Sequence, residues 1–105
     1  MFLRILLGCS LVAVALNAAA ADYEVAQKDK QFSASNLKIK VGDTVNFVNS
    51  DPFFHNVYSL SDVKTFDLGS YPQGQGRKIV FNNPGLVEVE CAIHPTMKLT
   101  VEVMK

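Results

Sequence analysis

From residue 37 onward, apolar residues recur at every second position. Leu37, Ile39 and Val41 alternate with Lys38 and Lys40, and Gly42-Asp43 then turns the chain. Thr44 to Asn49 alternates again and is ended by Ser50-Asp51-Pro52. Arg77 to Phe81 is closed by Asn82-Asn83-Pro84-Gly85. Leu86 to Cys91 places Val87, Val89 and Cys91 on one face, and Leu99 to Val103 repeats the pattern. A period of two is that of a half-buried strand. Tyr23 to Gln27 and His55 to Ser59 carry it more weakly. The stretch from Ser61 to Gly76 holds Gly69, Pro72, Gly74 and Gly76, and reads as a loop with one short strand around Phe66. No run of a dozen residues has helical periodicity, and there is no repeat. Short strands divided by turn residues predict an all-β sandwich or barrel, with Phe47, Tyr58, Phe66 and Phe81 in its core.

The first 21 residues follow a different rule. Arg4 precedes an almost wholly apolar run from Ile5 to Leu16, and Ala18 to Ala21 follow. That is the layout of a secretory signal peptide with its cleavage site read at Ala19-Ala20-Ala21. A membrane anchor is the rival, but the run falls short of the roughly 20 residues that span a bilayer. Leu6-Leu7-Gly8-Cys9 also looks like a lipobox, with little apolar sequence before it. The expected organisation is a signal peptide over 1–21 and one small domain over 22–105, exported to the periplasm, with no membrane span after cleavage. A domain this small buries only about 60% of its extended surface, so a metal would help hold it together.

Charge removes one class of function. Ten basic and ten acidic residues balance, and no basic cluster of the kind that binds nucleic acid is present. Cysteine usage sharpens the rest. Of two cysteines, Cys9 leaves with the leader and Cys91 remains alone. A lone thiol in an exported protein is free, bridged to another chain, or a metal ligand.

Cys91 lies in Cys91-Ala92-Ile93-His94-Pro95-Thr96-Met97, a C-x2-H-x2-M loop between two predicted strands. Such a loop can aim three side chains at one point. Thiolate and thioether are soft donors and imidazole is borderline, which suits copper and disfavours magnesium, calcium or manganese. The chain beyond the leader has only His55, Cys91 and His94 as Cys or His donors, one short of a structural zinc site. Two His and one Cys with a weak axial Met are the donors of a blue-copper centre. His55, in Phe53-Phe54-His55-Asn56-Val57, is therefore the expected upstream ligand.

Lys40-Val41-Gly42-Asp43-Thr44-Val45-Asn46-Phe47, then His55-Asn56-Val57, then Cys91-x2-His94-x2-Met97 resembles the cupredoxins. The ligand loop is most similar to that of amicyanin. The wider stretch, with Phe66 to Pro72, looks like small bacterial plastocyanin-like proteins often labelled methylamine-utilisation proteins. The resemblance covers about residues 32 to 103. It implies a Greek-key β-sandwich with one copper ion at one end. His55, Cys91 and His94 would be the equatorial ligands and Met97 the axial one, with Asn56 tying the two ligand-bearing segments together. Phe54 before the first His, Val87 and Val89 before the Cys, and Ile93 before His94 depart from common family choices.

The function expected is outer-sphere electron transfer between Cu(II) and Cu(I) by a monomer, not an enzyme. Its transient redox partner would be a protein such as a c-type cytochrome or a dehydrogenase. The His94 edge is the expected electron port, within an apolar patch of Phe53, Phe54, Ile93 and Pro95. A periplasmic copper-tolerance protein that sequesters or delivers the metal would use the same four ligands. A thiol enzyme with Cys91 as nucleophile is a third class and leaves Met97 without a role.

Overall fold

The computed structural model describes residues 19–105. The leader expected over 1–21 therefore lies outside the described residues except for its last three alanines. Nine strands follow one another: β1 (Asp22–Lys28), β2 (Gln31–Phe32), β3 (Asn36–Lys40), β4 (Thr44–Asn49), β5 (His55–Ser61), β6 (Lys64–Tyr71), β7 (Gly76–Val80), β8 (Gly85–Cys91) and β9 (Lys98–Met104). They form a four-stranded sheet, β2-β1-β4-β7, and a five-stranded sheet, β3-β9-β8-β5-β6. The two sheets make the predicted all-β sandwich. Among the described residues, no helix is long and apolar enough to cross a membrane.

The alternation decides which face is inside. In β4, Val45 and Phe47 are buried while Thr44, Asn46 and Val48 are only half-buried. In β8, Val87, Val89 and Cys91 point inward. Burying each such side chain is worth about 1.5–3 kcal/mol. Phe47 joins the two layers, with its ring 6.5 Å from Phe32 and 6.0 Å from Phe66.

Three expectations need correction. Tyr58 is not a core residue. His55, Val57 and Ser59 take the inward parity of β5, so Tyr58 faces outward opposite Glu90 and Asp67. Tyr71, which the sequence left in a loop, is wholly buried instead. Finally, β6 is eight residues long, not a short strand around Phe66. It is the outermost strand of its sheet, so most of its positions are half-exposed and its alternation is weak. Its pairing with β5 also shifts register between Asn56 and Tyr58, which breaks the period of two.

β5 begins where β8 ends, because the two are antiparallel with Val57 opposite Cys91. His55 and Cys91 are therefore brought to the same end of the sandwich, both facing inward. The β1–β2 turn and the Ser50–Phe54 connection close that end.

Candidate metal centre

Three nucleophilic atoms converge there. His55 Nδ1 lies 3.6 Å from Cys91 Sγ, and His94 Nδ1 lies 4.0 Å from the same sulfur. The two Nδ1 atoms are 3.2 Å apart. Donors held about 2.0–2.3 Å from one first-row ion in a trigonal plane sit roughly 3.5–3.8 Å from each other. The observed triangle brackets that spacing. Among the described residues this trio is the one group of His, Cys, Asp or Glu side chains close enough to share an ion.

Hydrogen bonding fixes the tautomer of His55. Its Nε2 is 2.7 Å from Asp51 Oδ2, and both side chains are buried. A carboxylate accepts, so Nε2 carries a proton and Nδ1 is the ring atom turned toward Cys91. This is the outer-shell carboxylate that orients a metal-binding imidazole. Asp51 is itself held: Oδ1 accepts from the Asp29 N–H at 2.7 Å and Oδ2 from the Lys30 N–H at 3.2 Å. Burial pushes the Asp51 carboxyl up, but the hydrogen bonds from His55, Asp29 and Lys30 outweigh it and hold the group below the usual carboxylate range.

The backbone that supplies those amides is unusual. Asp29 and Lys30 have φ of 54° and 60°. Two successive left-handed residues make a type I′ hairpin turn, here without the usual glycine. Asn49 supports the same corner from below. Its Oδ1 accepts the Asp51 N–H, and its Nδ2 donates to the carbonyls of Phe53 and Tyr71.

The expected tie between the ligand segments is present, but it runs through the main chain. The Asn56 N–H donates to Cys91 Sγ at 3.4 Å, and the Asn56 carbonyl accepts from the Ala92 N–H at 3.0 Å. The Asn56 side-chain oxygen is buried without a partner among the described residues.

The loop after Cys91 is closed by one hydrogen bond, from the Met97 N–H to the His94 carbonyl at 2.9 Å. Pro95 then occupies the second position of a tight turn, where its fixed φ is favourable. The turn sends Met97 into the core, where it is 1% exposed. His94 remains half-buried at the surface. Desolvation, the nearby His55 ring and Lys30 together hold its imidazole below the usual histidine range.

Phe53 covers both rings, with its centroid 5.3 Å from His55 and 5.4 Å from His94. It is 36% exposed, whereas Phe54 and Ile93 stand out further. Phe53 is therefore both packing and surface, and Phe54 is surface. Of the residues that build the site, sequence reasoning missed Asp51 and Asn49. One signal was available: an Asn two residues before an Asp-Pro pair is an Asx-turn pattern.

The comparisons agree with this geometry. Residues 19–104 match the model of the copper-binding proteins of the plastocyanin/azurin family. Methylamine utilization protein MauL of Methylorubrum extorquens is 33% identical over 102 residues, covering 96% of this chain and 90% of that protein. A reduced tryptophan variant of amicyanin superposes with a TM-score of 0.73 at 26% identity, covering 82% of this chain and 85% of that one. The copper-containing nitrite reductase of Thermus scotoductus reaches 0.74 at 28% identity, covering 92% of this chain but only 25% of that enzyme. With its family matched over nearly all of the described residues, the chain belongs to the copper-binding proteins of the plastocyanin/azurin family.

Proposed function

We propose that His55, Cys91 and His94 hold the protein's single copper ion, with Met97 as a weak axial donor, in a small periplasmic electron carrier. The observation that carries this reading is the converging triangle of one sulfur and two ring nitrogens. The donor set fits the metal. One soft thiolate and two imidazoles suit both Cu(I) and Cu(II). Bound copper supplies a one-electron couple between those two states.

What the chain supplies is rigidity and access. Asp51 fixes the ring of His55, the Asn56 amide fixes the Cys91 sulfur, and the Met97 turn fixes His94. The ring of His55 and the sulfur of Cys91 are held by hydrogen bonds that need no metal, and the main chain of His94 by a third, so little has to move when the charge changes. His94 is the most accessible of the four, and Phe53, Phe54 and Ile93 present apolar surface beside it. A patch of that kind suits a brief, small contact with a redox partner protein, such as a c-type cytochrome or a dehydrogenase. MauL is named for methylamine utilisation, and a partner in amine oxidation is the first to try. The monomer is the form expected.

The test is the visible spectrum of the chain loaded with Cu(II). An intense thiolate-to-copper charge-transfer band is expected, and Cys91→Ser should abolish it. A colourless complex in the parent protein would end the reading.

A further inference from the structure

The alanine run allows two cleavage frames. Small residues stand at the required positions for a cut after Ala21, with Ala19 and Ala21, and equally for a cut after Ala20, with Ala18 and Ala20. Sequence alone leaves the two level. The folded domain distinguishes them.

Ala21 belongs to the fold. Its carbonyl accepts the Thr44 N–H at 3.0 Å, one step before the parallel β1–β4 ladder begins at Asp22 and Thr44. Its N–H donates to Asp43 Oδ1 at 2.8 Å. Asp43 is buried and sits at the centre of a closed corner. Its Oδ2 accepts the Lys40 N–H at 2.8 Å, its N–H reaches the Lys40 carbonyl, and its carbonyl takes the Phe81 N–H. Ala19 and Ala20, in contrast, are exposed.

We infer that the leader is cut between Ala20 and Ala21, so that the mature chain begins at Ala21 and its new α-ammonium group pairs with the Asp43 carboxylate. The inference rests on the export reading above and moves its boundary by one residue. In the cut, water adds across the Ala20–Ala21 amide under the leader peptidase of the export pathway. Ala20 leaves with the new carboxylate, and Ala21 keeps the nitrogen as an amine that protonates. The atom already 2.8 Å from Asp43 thereby gains a positive charge, and a hydrogen bond from a neutral amide to the carboxylate becomes a hydrogen-bonded ion pair. A cut after Ala21 would instead delete the carbonyl that satisfies Thr44 and the nitrogen that satisfies Asp43. A buried acceptor without its donor is costly.

The experiment has two arms. In the first, the full-length chain with its own leader is produced in a Gram-negative host, and the exported protein is read by intact mass and N-terminal sequencing. A chain beginning at Ala21 is expected. A chain beginning at Asp22, or at any other residue, overturns the inference and leaves export standing. A product that retains the leader, or that carries lipid on Cys9, removes the export reading itself. In the second arm, chains beginning at Ala21 and at Asp22 are compared by urea unfolding. The longer should have a folding constant about tenfold higher. That ratio should fall toward one when both carry Asp43→Asn, and equal stabilities without that substitution would overturn the pairing.

Discussion

Asp51 is the residue on which the site's order is expected to depend most, and Asp51→Asn isolates its charge with little change of shape. The carboxylate accepts three hydrogen bonds, from His55 Nε2, the Asp29 N–H and the Lys30 N–H. An amide has one oxygen. If that oxygen stays with His55 and Lys30, the amide nitrogen meets the Asp29 N–H, donor against donor. If it turns to Asp29, the buried Nε2–H of His55 is left facing a donor. Either way at least one charge-assisted bond is lost, worth about 1.5–3 kcal/mol. Relief from burying a carboxylate offsets part of this. The metal-free protein should therefore lose about 2 kcal/mol, which for a domain this size lowers Tm by roughly 8–16 °C. Urea unfolding followed by far-UV circular dichroism measures it, with the denaturant slope unchanged. Copper should report a second effect. Loss of an orienting partner typically weakens a metal site by about 10–100-fold. Loss of a buried negative charge beside a ligand also disfavours Cu(II) more than Cu(I), so the reduction potential should rise. A variant with parent stability, parent copper affinity and parent potential would show that the Asp51–His55 contact orders nothing.

Other outcomes follow from the same geometry. Met97→Leu should keep the charge-transfer band and, if Met97 is the axial donor, raise the reduction potential, because loss of an electron-pair donor destabilises Cu(II) more than Cu(I) while a buried apolar side chain remains; an unmoved potential would mean that Met97 serves only the core. Backbone hydrogen bonds from Ala21 and Lys40 hold the Asp43 carboxyl below its usual value of 3.8. With a depressed folded value, its contribution is full above pH about 4 and is lost as pH falls through the folded value. Acid unfolding curves should therefore be flatter below pH about 4 in Asp43→Asn than in the parent, and parallel curves would contradict this. Gly85→Ala should destabilise by about 1–3 kcal/mol, since φ is 134° there and an added Cβ would meet Val63 Cγ2 at 2.7 Å; thermal melts would show a parent-like Tm if the strand can shift.

The parts of this molecule that were legible in the sequence are those in which one side chain reports its own environment. β4, β8 and β9 alternate cleanly because one face is buried and the other is wet, and their bounds lie within about a residue of those expected. The trio of His55, Cys91 and His94 was legible because such donors are few and the chain beyond the leader holds no other Cys or His. β2 was not, since two residues carry no period, and its turn uses Asp29-Lys30 where Asn-Gly would have announced it. Tyr58 was assigned to the wrong side because the parity of β5 is set by His55. A polar residue facing inward inverts the pattern that hydrophobicity would give.

Asp51 escaped for a related reason, and it shows why such sites are only half visible in a sequence. A ligand is chosen for its own chemistry, so its identity is printed in the chain. A residue that orients a ligand is chosen for where it stands, and Asp51 looks like any residue before a turn proline. Its position is set by Asn49 beneath it and by the left-handed turn of Asp29 and Lys30 beside it. A single left-handed non-glycine residue costs roughly 1–2 kcal/mol. A strained turn that aims two amides at one buried carboxylate is accounted for if that carboxylate in turn fixes His55. Strain in a hairpin more than twenty residues upstream of the ligand is thus spent on holding an imidazole still, and a rigid imidazole is what a centre that must change charge without rearranging requires.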